Sequence, residues 1–185
     1  MSSEWVVLVD DENREIGVAR KDGVHHATTP LHRAFSLFLF DADRRTLLQR
    51  RATGKRTFPG VWSNACCGHP APGETVVEAA LRRCKEELGV EPAELWIAIP
   101  DYRYRAEAGG VVENEICPVV VGRLAAETLR PDALEVAATR WIDWHELLAE
   151  LPGDYSPWCV GEASRLAADP RFRAWLVTAR TPAAT

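Results

Sequence analysis

The most restrictive pattern in the chain lies between Thr75 and Leu88. Val76, Val77, Ala80, Leu81, Cys84 and Leu88 recur at helical spacing, and Gly89 follows where a C-terminal cap belongs. Glu78, Arg82, Arg83, Glu86 and Glu87 fall off that apolar stripe. Immediately upstream, Thr53 to Pro72 is rich in Gly, Pro, Trp, Cys and His. That stretch is too irregular for a helix and too costly in composition for a plain linker.

Strands are expected on both sides of this unit. Glu4–Asp10 reads as a strand with a turn at Asp11–Asn13, and Arg33–Phe40 reads as a buried strand. Leu47–Arg51 is its expected hairpin partner across the polar turn Asp41–Arg45. Val111–Gly122 and Ala137–Asp143 read as further strands, and Trp144–Leu151, Ser156–Ala168 and Arg171–Arg180 as helices. The tail Thr181–Thr185 is expected to fray. At 185 residues and 46% hydrophobic, the chain suffices for one compact α/β (α+β) domain, a mixed β-sheet core flanked by helices. No repeat, linker or low-complexity segment divides it.

Charge and cysteine usage narrow the function classes. The formal charge is −5, so no broad basic field draws nucleic acid or anionic lipid. An anionic substrate must be met by a few placed cations. Five cysteines, an odd number, and no apolar run near the roughly 20 residues that span a bilayer point to a cytoplasmic protein with reduced thiols. Seven tryptophans are many for this length, and some are expected to line a pocket.

The run Gly68–Val90 (GHPAPGETVVEAALRRCKEELGV) resembles the Nudix box. Its first glycine, Glu74, Arg82, Glu86-Glu87 and Gly89 fall at that family's spacing, which implies a Nudix-like fold over residues 1–185. Carboxylates on a helix beside a loop can hold a hard divalent cation that grips diphosphate oxygens. The bland reading is a solvated helix face carrying Arg82–Glu86 and Arg83–Glu87 pairs; the loop context favours the site. One departure matters: the family's box has a glutamate where this chain has Arg83. Arginine cannot bind a cation but binds phosphate bidentately, so the box looks converted from cleaving a diphosphate to holding one.

Three segments outside the helix carry more chemistry: His25–His32 (HHATTPLH), Asn64–Pro70 (NACCGHP) and Glu113–Pro118 (ENEICP). On a strand Glu113 and Glu115 share one face, and two such carboxylates repel unless a cation or proton lies between them. Cys67 and His69, two apart in extended backbone, point into one space. A thiol beside a cation has a lowered pKa and can serve as a base. Cys66-Cys67 could also be half of a metal site, but no second cysteine pair has zinc spacing.

With Tyr102–Arg105 and Ser156–Trp158, these segments resemble the type 1 isopentenyl-diphosphate isomerases from about Lys21 to Trp158. The resemblance implies His25, His32, His69, Glu113 and Glu115 as ligands of Mn²⁺, Mg²⁺ or Zn²⁺, with His25 favoured over His26 by its spacing to Pro30-Leu31-His32. It aligns Cys67, rather than Cys66, through Gly68-His69-Pro70. It implies Glu115 with Tyr104 on one face of a five-carbon substrate and Cys67 on the other, with the Trp158 ring against a tertiary carbocation. Lys21, Arg51, Lys55 and Arg83 would hold the diphosphate of a small prenyl substrate, together with a second Mg²⁺ near Glu87. The other readings are a Nudix pyrophosphohydrolase and a non-catalytic Nudix-like binding module. No flavin-binding pattern is present, no nucleic-acid or membrane partner is expected, and the expected state is a monomer or weak homodimer.

Overall fold

The structure is a computed structural model that describes residues 4–125 and 128–178. The chain begins with β1 (Trp5–Val9), β2 (Glu15–Arg20), the short α1 (Lys21–Val24), β3 (His32–Arg33), β4 (Phe35–Phe40) and β5 (Arg45–Arg51). It continues through β6 (Trp62–Ser63), β7 (Cys66–Gly68), α2 (Val76–Leu88), β8 (Glu94–Ile99), β9 (Arg103–Ala108), β10 (Val111–Ile116) and β11 (Val119–Arg123). The last elements are β12 (Val136–Asp143), α3 (Trp144–Glu150), α4 (Pro157–Ala168) and α5 (Pro170–Val177). One sheet has five strands in the order β2-β1-β3-β10-β9; the other follows β12-β5-β4-β11-β8, with β6 on β5 and β7 on β4.

Two stretches of chain run through both sheets side by side. β3 and β10 pair in parallel in the first sheet, and β4 and β11 pair in parallel in the second. Between them Ala34 N donates to Ile116 O at 2.9 Å and Ser36 N to Pro118 O at 3.1 Å. The segment expected as one strand over Val111–Gly122 is therefore two strands in two sheets. Pro118 has no N–H for a ladder, so the strand breaks at Cys117–Pro118 and changes sheet there.

The expected hairpin of β4 with β5 is also corrected. The two pair only at Phe40–Thr46; beyond that, β5 runs with β12 and β6, while β7 takes the edge of β4. The sheet splits between β4 and β5, and the segment read as irregular supplies a short strand to each side.

β4 is apolar along its length because it is covered twice. Phe35, Leu37 and Leu39 pack on α2 with Ala79, Ala80, Cys84 and Leu88, while Phe38 and Phe40 join Trp144, Trp158, Leu166 and Phe172 under α3–α5. Helix α2 starts on a reciprocal Thr75–Glu78 capping box and ends on Gly89 at φ 69°, a left-handed conformation that suits glycine. Its inward face differs from the expected stripe. Leu81 is exposed, and Arg83 and Glu87 are buried, because these two charges satisfy one another across a turn. Helix α5 is described to Val177, and Thr181–Thr185 lies outside the described residues. No helix among them is long and apolar enough to cross a membrane.

Gly122 shows how closely β11 and β8 approach. A Cβ there would lie 2.5 Å from the Glu94 carbonyl oxygen and 2.3 Å from Leu95 Cδ2. Gly122→Ala should cost about 1–3 kcal/mol through overpacking, read as a lower thermal midpoint in calorimetry. An unchanged midpoint would contradict this strand spacing.

Candidate active site

A cavity of about 650 Å³ opens where α1, the loop after β5, β7, α2 and the β9–β10 hairpin meet. Its walls include His25, His69, Cys67, Tyr104, Glu113, Glu115, Arg51, Lys55, Lys21, Arg83 and Trp158. The sequence therefore identified most of the wall. Of the seven tryptophans, only Trp158 is part of it among the described residues, while Trp144 is core.

Strand register assembles the cluster at its base. Glu115 lies opposite His32 on one side and Tyr104 on the other. His32 Nε2 is 3.4 Å from Glu115 Oε1, His69 Nε2 is 3.2 Å from the same oxygen, and the two ring nitrogens are 3.3 Å apart. His25 Nε2 is buried without a hydrogen-bond partner. One ligand atom from each of His25, His32, His69 and Glu115 falls within 4.8 Å of every other. Converging imidazole nitrogens with a carboxylate, one nitrogen unsatisfied, form a donor set that fits a divalent cation. Glu113 stands beside this group, 3.6 Å from His25 Nε2. His26 is exposed, and its Nδ1 accepts from the Thr28 N–H. Of the two adjacent histidines, His25 lies in this group and His26 does not.

The electrostatics divide the two glutamates. Burial pushes Glu113 up, and the neighbouring Glu115 adds to it. Burial also pushes Glu115 up, but bonds and charge from His32 and the Tyr104 hydroxyl outweigh it and hold the carboxyl well below the usual range. Tyr104 Oη donates to Glu115 Oε2 at 2.8 Å, and burial first, then Glu115, keeps the phenol protonated.

Pairing of β7 with β4 separates the adjacent cysteines. Cys67 lies opposite Ser36 and faces the cavity, whereas Cys66 lies opposite Leu37 and faces the apolar layer under α2. The Cys67 thiol donates to Asn64 Oδ1 at 3.2 Å. The expectation of a lowered thiol pKa is corrected: burial above all, then the Glu162 carboxyl, pushes Cys67 up to about 12. Arg51 and the contacts with Ser36 and Asn64 offset this only in part.

Box residues Glu74 and Arg82 act as a brace. Arg82 Nε and Nη2 donate to the two Glu74 carboxylate oxygens at 2.7 and 2.8 Å, and Nη2 reaches His69 O at 3.3 Å. Glu87 is not brought to the cavity; Arg83 binds Glu87 Oε1, and Gln49 Nε2 lies 3.4 Å from Oε2. Gly68 permits this layering, since a Cβ there would meet Arg83 Cγ at 3.0 Å and Phe35 at 3.1 Å. Lys21 pairs with Glu4 and Lys55 with Glu135, and Arg83 Nη2 lies 3.3 Å from Glu135. Arg51 is fixed by donating to the Thr57 and Phe58 carbonyls, with its guanidinium carbon 5.3 Å from the Trp158 ring centroid.

Sequence reasoning missed Ser36, Asn64 as a partner of Cys67, and Glu162. Two of these had a visible signal. Ser36 is the lone polar residue in the run Phe35–Phe40, and Glu162 falls on the apolar face that Trp158, Cys159, Ala163 and Leu166 make along α4.

Residues 30–159 match the NUDIX domain family. The chain is 52% identical over 168 residues to an isopentenyl-diphosphate Delta-isomerase of Mycolicibacterium vanbaalenii, covering 89% of this chain and 92% of that one. It is 51% identical to the protein of the same description from Saccharopolyspora erythraea, covering 90% and 89%. Among solved structures, DR0079 from Deinococcus radiodurans aligns with a TM-score of 0.69 at 19% identity, over 88% of this chain and 98% of that one. A Nudix hydrolase from M. smegmatis, RenU, aligns at 0.58 and 22% identity over 94% of each. At such identities the structural likeness concerns the Nudix-like fold.

Glu162 makes a testable contribution to stability. Burial raises its carboxyl to about 8, with Glu115 adding and Ser36 and Cys117 partly offsetting. The folded state thus keeps this proton to higher pH than the unfolded chain does. The associated stability is fully present below about 4.5 and is lost as pH rises through about 8. Glu162→Gln should abolish this loss, so its stability relative to the parent should increase across that window in denaturant unfolding. A pH-independent difference would refute the raised carboxyl.

Proposed function

The chain belongs to the isopentenyl-diphosphate Delta-isomerases within the NUDIX domain family, and on that premise we propose how its own residues interconvert isopentenyl and dimethylallyl diphosphate. The reaction adds a proton at one end of an alkene and removes one from the far side, through a tertiary carbocation. It needs two proton handlers on different sides of the substrate, shielded from bulk water. The observation that carries the reading is that one cavity receives Cys67 from β7 of one sheet and the Tyr104–Glu115 pair from β9–β10 of the other.

Tyr104 and Glu115 form the first handler. The phenol, protonated and bonded to the carboxylate, moves a proton between Tyr104 Oη, Glu115 Oε2 and the substrate carbon. His25, His32, His69 and Glu115, with Glu113 beside them, hold a divalent cation, Mn²⁺, Mg²⁺ or Zn²⁺. When bound, that ion supplies fixed positive charge that orients Glu115 and tunes its proton affinity. Cys67 is the second handler and donates from its thiol or accepts as thiolate, according to direction. The Trp158 ring lies 5.5 Å from the Tyr104 ring and presents a π face to the developing cation, worth about 2 kcal/mol or more in a desolvated site.

Arg51, Lys55, Lys21 and Arg83 hold the diphosphate. Glu4 and Glu135 now occupy the cations that phosphate oxygens take, so substrate displaces carboxylates rather than water alone. Mg²⁺ would accompany the substrate and supply charge to its diphosphate, and Glu87 keeps Arg83 aimed at the diphosphate oxygens; ligation by Glu87 itself would require the Arg83 guanidinium to turn aside. The enzyme works on a small molecule in the cytoplasm.

Pyrophosphate hydrolysis is the weaker reading because the carboxylates of the box are engaged elsewhere: Glu74 by Arg82, Glu86 by Arg82 and Arg83, and Glu87 by Arg83. Among the described residues they form no ligand group with one another.

Cys67→Ala should abolish turnover, and Cys66→Ala should leave most of it, because alternation on β7 aims only Cys67 into the cavity. Steady-state assays of both variants check this; equal losses would refute the assignment. Turnover in heavy water should place deuterium in the methyl group formed from the terminal alkene carbon, with no phosphate released. Mass spectrometry and a phosphate assay read both. Unlabelled product formed at full rate would eliminate the protonation mechanism, and phosphate release would favour hydrolysis.

A further inference from the structure

Behind Cys67, away from the metal-ligand cluster, lies a second polar layer that the reaction so far leaves unused. Ser36 Oγ is 3.5 Å from Cys67 Sγ and 3.4 Å from Cys117 Sγ. Cys117 Sγ is in turn 3.8 Å from Glu162 Oε1. Ser36 and Glu162 have no solvent exposure, and Glu162 Oε2 has no hydrogen-bond partner. A carboxyl placed in an apolar helix face without a cation is expensive unless it is neutral or serves a neighbour.

We infer that Glu162 and Ser36 are positioning residues for isomerisation, forming through Cys117 a hydrogen-bond chain that fixes the Cys67 S–H on Asn64 and so sets the orientation of the thiol at the cavity wall. This rests on Cys67 being a proton handler.

The direction of the chain follows from donor and acceptor counting. Glu162 is held as the neutral acid, chiefly by burial. The groups around it are Cys117 between the sheets, Cys67 on β7, Tyr102, Cys159 on its own helix, and the more distant Glu115; no cation is among its perturbing neighbours. A neutral carboxyl has an O–H to give, the Cys117 sulfur lies 3.8 Å from Glu162 Oε1 to take it, and Cys117 can then turn its S–H to Ser36 Oγ at 3.4 Å. Ser36 then has its own hydrogen left for a thiol sulfur. Cys67 sulfur, as acceptor from Ser36, directs its S–H to its other neighbour, Asn64 Oδ1, at 3.2 Å. Asn64 cannot turn away: its Nδ2 donates to Leu37 O at 3.2 Å and Cys66 O at 2.9 Å, and Ser63 Oγ donates to its Oδ1 at 2.8 Å. An ionised Glu162 would instead take the Cys117 hydrogen, leave the Cys117 sulfur to accept from Ser36, turn the serine lone pairs toward the Cys67 thiol, and swing its S–H off Asn64.

The test separates positioning from packing by restoring single donors in the metal-loaded enzyme. Ser36→Ala and Glu162→Ala should each lower kcat by about 10-fold or more, as loss of a group that orients an acid–base residue does, while KM and metal content stay within about twofold. Ser36→Thr, which keeps the hydroxyl, and Glu162→Gln, whose amide N–H mimics the neutral acid, should recover most of kcat. Parental kcat in Ser36→Ala, or no recovery in Ser36→Thr, overturns the inference. So does a kcat in Glu162→Gln as low as in Glu162→Ala. If Glu162→Ala does not fold, the Ser36 pair decides. Full activity in Cys67→Ala would instead refute the underlying role of Cys67; loss there with parental rates in the Ser36 and Glu162 variants refutes only the positioning chain.

Discussion

The structure depends on one non-local contact: two chain segments about 80 positions apart run in parallel through both sheets. His32 to Phe40 and Glu115 to Arg123 stay side by side across the break, with Ala34 and Ser36 bonding across it. In the first sheet that register sets His32 against Glu115. In the second it sets Ser36 against Val119, with Cys117 and Pro118 at the step between them. The cluster of His32 with Glu115 and the layer behind Cys67 are thus two consequences of one pairing. Parallel pairing over such a separation gains nothing until a long loop has been closed. A shift of one residue would turn every one of these side chains to the opposite face.

Around that pairing, charge is handled by enclosure. Arg83 and Glu87 are buried together, and the Glu74–Arg82 brace ties the helix to the backbone at His69. A lone buried charge would be costly, whereas a hydrogen-bonded pair can be retained in a packed layer. Of the cavity cations, Lys21, Lys55 and Arg83 are likewise paired with Glu4 or Glu135 rather than left bare. A chain of net charge −5 therefore still offers a confined cationic rim to a diphosphate without a basic exterior.

In the proposed mechanism, proton handling is divided between the two sheets. On the five-stranded side, an ionised Glu115 is bonded to a protonated phenol; on the seven-stranded side, a neutral thiol is held by Asn64. Environments that push neighbouring groups in different directions let one cavity both add and remove protons. The thiol's high proton affinity comes from burial first and then from the Glu162 carboxyl, both properties of the protein's own packing.

Motifs in the sequence, and the family they resemble, named most of the side chains that line the cavity. The family resemblance set His25 apart from His26 and Cys67 from Cys66, and on β7 the alternation of extended backbone turns the two cysteines to opposite faces, a local property of two or three residues. The α2 helix and its caps were equally local. What only the tertiary structure decided was partnership. Periodicity placed Arg83 and Glu87 off the apolar stripe, yet packing buried them, since a helix shows two flanks to its neighbours and the sequence does not say which is covered. The run Val111–Gly122 has strand character throughout, and its break at Pro118 matters only because two sheets meet there. Ser36 and Glu162 stood out as polar residues in apolar faces. Their meaning lay in each other and in Cys67, positions that no local pattern connects and that only the parallel pairing brings together.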